Sequence, residues 1–144
     1  MSYITTFTGK HFDPIHPVPE KIDMKDIAHA LSLICRANGH TRFFYSVAQH
    51  SIACCKEAKT RGLSNHIQLG CLLHDSCETY MSNVTRPIKA KLTEYLKLEA
   101  PYKIKFGIIL LPPSRMQKRK QYLKLTTRCF LMIKDSRHPK PTIS

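Results

Sequence analysis

Several absences bound this chain before any motif does. No stretch of its 144 residues approaches the roughly 20 apolar residues needed to span a bilayer, and the run "IKFGIILLPP" is stopped by Pro112 and Pro113. The start "MSYITTFTGKHF" lacks a charged segment followed by an apolar one. It does not read as a secretory signal, and the expected compartment is the cytoplasm. None of the six cysteines (Cys35, Cys54, Cys55, Cys71, Cys77, Cys129) stands in a CxxC pair. Ligand spacing for a structural cysteine-zinc site is therefore missing, and reduced thiols filling core positions are the better reading.

Acid is scarce in one part only. Residues 1–99 hold 12 Lys/Arg against 9 Asp/Glu, whereas residues 100–144 hold 11 against 1, so most of the net charge of +13 belongs to the second part. A segment of that kind attracts phosphate backbones, which makes nucleic-acid binding through the tail an alternative function. The length suits one domain with a real core.

What is present before residue 99 reads as helix. Residues 1–23 hold Pro14, Pro17 and Pro19 and read as an irregular arm with a short strand at "YITTFTG". Asp23 then caps a helix over about 24–37, with Asp26 completing a capping-box-like start and Gly39 as a stop. A second helix runs from about Ser46 to Arg61, ended by Gly62. Ser64 caps a third, "NHIQLGCLLHDSCETYM", apolar on nearly every side and so expected to be the buried centre of an all-α bundle. Pro87 breaks the chain after it, and a fourth helix covers "TEYLKLE". Beyond Glu99 no sustained period is found apart from a short helix around "KRKQYLKL".

The third helix carries the chemistry. His74 and Asp75 are adjacent and Glu78 lies four residues after His74, so three ionisable groups enter a segment that reads as buried. A core rejects unpaired charge, and a metal ion is one partner that repays the desolvation. Residues four apart share a helix face, which sets His74 above Glu78 and turns Asp75 by roughly 100°. One ion can lie between His74 and Asp75 if another helix supplies an opposing ligand, for which His50 is the candidate. Imidazole with carboxylate suits Mn, Co, Fe, Ni or Zn. The plainer alternative is a His-Asp hydrogen bond on a helix face.

"DIAHALSLICRANGHTRFFYSVAQHS" followed by "LLHDSCETYMSNVTRPIK" resembles the HD-domain metal-dependent phosphohydrolases, in a branch similar to bacterial 5'-nucleotidase-like proteins. The resemblance covers residues 3 to about 99. It implies an all-α HD-domain helical bundle over residues 1–99, with the C-terminal helices altered or missing and 100–144 a basic tail outside the family. It further implies a divalent metal on His50, His74 and Asp75. Glu78 would position or protonate around the attacked phosphate, and Arg42 would contact substrate phosphate. Asn83 stands at the substrate-side position where the family has an acid. The implied substrate is a phosphate monoester, a nucleotide by resemblance; a homodimer is compatible with this, and no membrane partner is implied.

The late aspartate of the family has no counterpart, Asp135 being the sole acid after Glu99. Suitable synonymous codons of "YLKLTTRCF", read in another frame, encode "FEIDDAMLF", the missing acidic segment. The expectation is that the tail is the family's last helices read out of frame. An inactive remnant with three ligands is then a further alternative.

Overall fold

A computed structural model describes residues 3–110. The expectations for the tail from residue 111 onward, including the short helix around "KRKQYLKL", the frame reading and Asp135, lie outside the described residues. Six helices carry the fold, α1 (Met24–Leu33), α2 (Val47–Thr60), α3 (Asn65–Leu73), α4 (Glu78–Met81), α5 (Arg86–Lys89) and α6 (Thr93–Leu110). A hairpin of β1 (Ile4–Thr5) and β2 (His11–Phe12), antiparallel with Ile4 opposite Phe12, precedes them. The architecture is mainly α rather than strictly all-α.

The arm is anchored to the helices by polar and aromatic contacts. Asp26 does not close a capping box on α1; its buried carboxylate accepts from the Thr8 backbone N–H at 2.7 Å and the Thr8 hydroxyl at 3.0 Å. Asp23 does cap the helix, accepting from the Lys25 N–H at 2.8 Å. Phe12 is wholly buried and stacks on Tyr80 of α4 with ring centroids 3.9 Å apart, while Tyr102 of α6 lies beside both and donates its hydroxyl to the Pro14 carbonyl at 2.8 Å. Three distant segments thus meet in one aromatic cluster.

Helix α1 ends at Leu33, four residues before the expected end near 37. Cys35 pairs with Ser46 in an isolated bridge, and the Arg36 N–H donates to the Tyr45 carbonyl at 2.8 Å. These contacts pull the chain out of helical geometry into a short 3-10 turn, Arg36–Gly39, in which Ala37, Asn38 and Gly39 all have positive φ (53°, 52° and 80°). Ser46 then opens α2 through a full capping box with Gln49.

The segment read as one buried helix over "NHIQLGCLLHDSCETYM" is two helices. α3 stops at Leu73, residues 74–77 form a turn, and α4 resumes at Glu78. The turn is tightened by i to i−3 bonds, Ser76 N–H to Leu73 C=O at 3.1 Å and Glu78 N–H to Asp75 C=O at 2.9 Å. Burial in α3 is one-sided, with Ile67, Gly70 and Cys71 inside against α2 and Leu69 exposed. Helix α6 passes the point after Glu99 where the pattern was expected to fail. Pro101 forgoes one backbone bond within it, and burial of Glu99 and Tyr102 against the bundle holds that turn in place.

Candidate metal centre

The turn that interrupts the third helix presents His74 and Asp75 together. The His74 Nδ1–H donates to the Cys71 carbonyl at 2.8 Å, which fixes the ring and directs Nε2 away from its own helix. His50, buried on α2, brings its Nε2 to 3.2 Å from that atom. Asp75 Oδ2 lies 3.0 Å from His74 Nε2 and 3.7 Å from His50 Nε2. A triangle with those sides has a circumradius of about 1.9 Å, so a point roughly 2.1 Å from all three atoms exists, the bond length of nitrogen and oxygen ligands on a first-row divalent ion. The donor set fits such an ion. Imidazole with carboxylate favours transition metals over magnesium or calcium.

Arg36 completes the cluster. Its Nη1 is 3.0 Å from Asp75 Oδ2 and 3.9 Å from Glu78 Oε2. Glu78 is 5% exposed, and its Oε2 has no hydrogen-bond partner among the described residues. Behind it, Lys89 of α5 donates to the fully buried Glu99 of α6, whose Oε1 also lies 3.6 Å from the Cys77 thiol. Burial, with added repulsion from Glu99 and Glu78, pushes that thiol up to about 12, so Cys77 is not a thiolate nucleophile.

These surroundings set the protonation states. Burial lowers His50 to about 4, helped by the positive charges of Arg36 and His74 and opposed by Asp75, so its ring is neutral and ligand-competent near pH 7. For Asp75 burial acts upward, but the hydrogen bond from His74 and the charges of His74, Arg36 and His50 outweigh it and hold the carboxyl at about 2. Glu78 goes the other way: burial first, then the charge of Asp75, raise it to about 8. Two carboxyls three residues apart are thus split, one ionised and one carrying a proton at neutral pH.

Of the residues singled out in sequence, His50, His74 and Asp75 converge, and Glu78 joins them through Arg36. Arg42 is exposed and, among the described residues, forms no ion pair with the cluster. Asn83 is half-buried just after α4, with a side-chain Nδ2 that has no hydrogen-bond partner among the described residues. Sequence reading missed Arg36, because only the tertiary turn at residues 36–39 carries it to the site. It also missed Cys54, whose Sγ lies 3.7 Å from His50 Nε2, although its place four residues after His50 on a helix was a usable signal.

No family model matches the chain. It is 39% identical over 119 residues to the uncharacterized protein YfdR of Escherichia coli (strain K12), matching 78% of this chain and 61% of that protein. It is 31% identical over 121 residues to the uncharacterized protein RCAP_rcc00048 of Rhodobacter capsulatus, matching 77% of this chain and 61% of that protein. The chain thus spans about three fifths of the length of these curated relatives.

Proposed function

We propose that this chain carries the metal centre of an HD-type phosphohydrolase and acts on a phosphate monoester, a nucleotide by resemblance. The observation that supports this most is the convergence of His50, His74 and Asp75 beside the buried Glu78 and the guanidinium of Arg36. A divalent ion, when bound, would supply Lewis-acid activation of the attacking water and polarisation of the phosphoryl oxygen. The chain's own groups divide the remaining work. Asp75, His50 and His74 hold the ion. Arg36 offers a planar donor to phosphate oxygens. Glu78, carrying its proton near pH 7, is suited to protonate the departing alkoxide.

The test is phosphate release from a panel of nucleoside monophosphates by the full chain, stripped with chelator and reloaded separately with Mn, Co, Fe, Ni and Zn. Activity is expected to be metal-dependent and lost in His74→Ala and Asp75→Ala. Parental activity in either variant would remove these residues from the site, and no activity with any metal would favour an inactive remnant. The charge balance of residues 100–144, +10, supports a separable second reading, nucleic-acid binding by the tail. That reading requires affinity that falls steeply as salt is raised.

A further inference from the structure

We propose that Cys54 is a metal ligand, and that His50, Cys54 and His74 form a second ligand set, sharing the histidine pair with Asp75 and selecting zinc over harder divalent ions.

Cys54 follows His50 by one turn of α2 and is 1% exposed. Its Sγ stands 3.7 Å from His50 Nε2 and 3.8 Å from Nδ1, and one donor atom from each of His50, Cys54 and His74 lies within 4.8 Å of the others. A tetrahedral zinc ion with bonds of about 2.05 Å to nitrogen and about 2.3 Å to sulfur separates nitrogen from sulfur by about 3.6 Å and nitrogen from nitrogen by about 3.4 Å. The corresponding separations here are 3.7 Å and 3.2 Å. The two separations at His50 Nε2 match such an ion and the Cys54–His74 pair lies within 4.8 Å; the sulfur, nearly equidistant from both His50 ring nitrogens, would shift toward the Nε2 side to complete the site.

His50 Nε2 therefore has a carboxylate oxygen and a thiol sulfur at the same distance, 3.7 Å. Asp75 Oδ2 is also 3.0 Å from Arg36 Nη1, so an ion that takes the carboxylate shares it with a guanidinium. An oxygen-preferring ion such as Mn gains more from the ionised carboxylate, whereas zinc gains more from sulfur, the softer donor. On binding, the sulfur–zinc bond replaces the S–H bond and the thiol proton passes to solvent. Metal identity would then set the ion's position: manganese against Asp75 and Arg36, zinc drawn toward Cys54.

The inference rests on the histidine pair of the proposed centre but not on the hydrolase reading, and its readout is spectroscopic. The full chain is stripped and titrated with Co(II) as a zinc surrogate, alongside Cys54→Ser, Cys54→Ala, Asp75→Asn and His50→Ala, each checked by circular dichroism for helical content. Expected are a thiolate-to-cobalt charge-transfer band in the parental chain, its retention in Asp75→Asn, and its loss in both Cys54 variants and in His50→Ala. Competition titrations should show zinc affinity falling at least about tenfold in Cys54→Ala while manganese affinity changes little. Cobalt bound without that band, or a band that survives Cys54→Ser or Cys54→Ala, would overturn the role of Cys54 and leave the three-donor centre standing. Failure of the folded parental chain to bind cobalt, zinc or manganese would overturn both.

Discussion

Asp75 Oδ2 stands 3.0 Å from His74 Nε2 and 3.0 Å from Arg36 Nη1, so one carboxylate oxygen serves an imidazole on its own turn and a guanidinium from the loop before α2. That sharing makes Arg36 both a counter-charge for the site and a competitor of any ion bound there. In chelator, Arg36→Ala should lower stability by about 1–3 kcal/mol, because it leaves a largely buried carboxylate short of a partner. Saturating divalent metal should recover most of the loss by replacing the missing charge. Arg42→Ala, at an exposed position, should stay within about 0.5 kcal/mol of the parent. Thermal melts with and without metal check this, and equal effects at the two arginines would show that Arg36 has no special place in the site.

Glu78 provides a pH test. Its carboxyl is raised from 4.5 to about 8, chiefly by burial and then by the charge of Asp75, so the folded state holds the proton more tightly than the unfolded chain. The associated stability is complete below about 4.5 and is lost progressively as pH rises through about 8. The metal-free chain should therefore melt lower at pH 9 than at pH 6. Glu78→Gln keeps the shape without the titration and should flatten this limb, while lowering phosphatase turnover with metal content nearly intact. A fall of the same size in the variant would place the responsible group elsewhere, and loss of metal would make Glu78 a ligand.

On the acid side His50 acts in the opposite sense. Its folded value is depressed from 6.5 to about 4, so the stability it contributes is present above 6.5 and lost as pH falls through about 4. A metal that requires the neutral ring should raise the melting temperature more at about pH 5 than at about pH 3.5, on either side of that value. Equal metal-induced shifts at the two pH values would show that His50 does not coordinate.

Much of the site was legible because its spacing is local. His74, Asp75 and Glu78 fall within five residues, and their burial against an apolar run signals a shared partner whatever the tertiary detail. The pairing of His50 with His74 was inferable only as a need for an opposing ligand; the geometry comes from the packing of α2 on α3. Arg36 was missed and Asp26 misread for one reason. Their side chains serve contacts 39 and 18 residues away in the chain, with Asp75 and Thr8, and no local periodicity carries that information. The early end of α1 has the same origin, since the bridge from Cys35 to Ser46 is tertiary. The tightened turn at residues 74–77 was hidden because its residues remain near right-handed helical angles, as at His74 (φ −64°, ψ −31°) and Cys77 (φ −64°, ψ −25°).

The turn that delivers Arg36 offers a test of stored strain. Ala37 is exposed and held at φ 53°, ψ 36°, where an L side chain costs about 1–2 kcal/mol relative to glycine. Ala37→Gly should relieve that strain at an entropic cost in the unfolded chain, for a net gain of about 0.5–1 kcal/mol. No change or a loss in denaturant midpoint would mean that this turn leaves the left-handed region in solution.

The aromatic cluster should couple the N-terminal arm to the site. Phe12 is wholly buried, stacked at 3.9 Å on Tyr80, and Tyr80 lies in the same short helix as Glu78. A four-residue helix has too few internal hydrogen bonds to hold its own orientation, so α4 depends on what its buried face packs against. Phe12→Ala should cost about 3–5 kcal/mol through lost contact and a residual cavity. Phe12→Leu, which refills most of the space, should cost less and leave the fold intact. The informative measurement is on that milder variant: if α4 is oriented through Tyr80, its turnover should fall while its metal affinity holds, because the ring stacked on Phe12 belongs to the helix of Glu78 and not to a metal-holding residue. Proportional losses of metal binding and turnover would instead show that Phe12 supports the bundle as a whole and not the placement of Glu78.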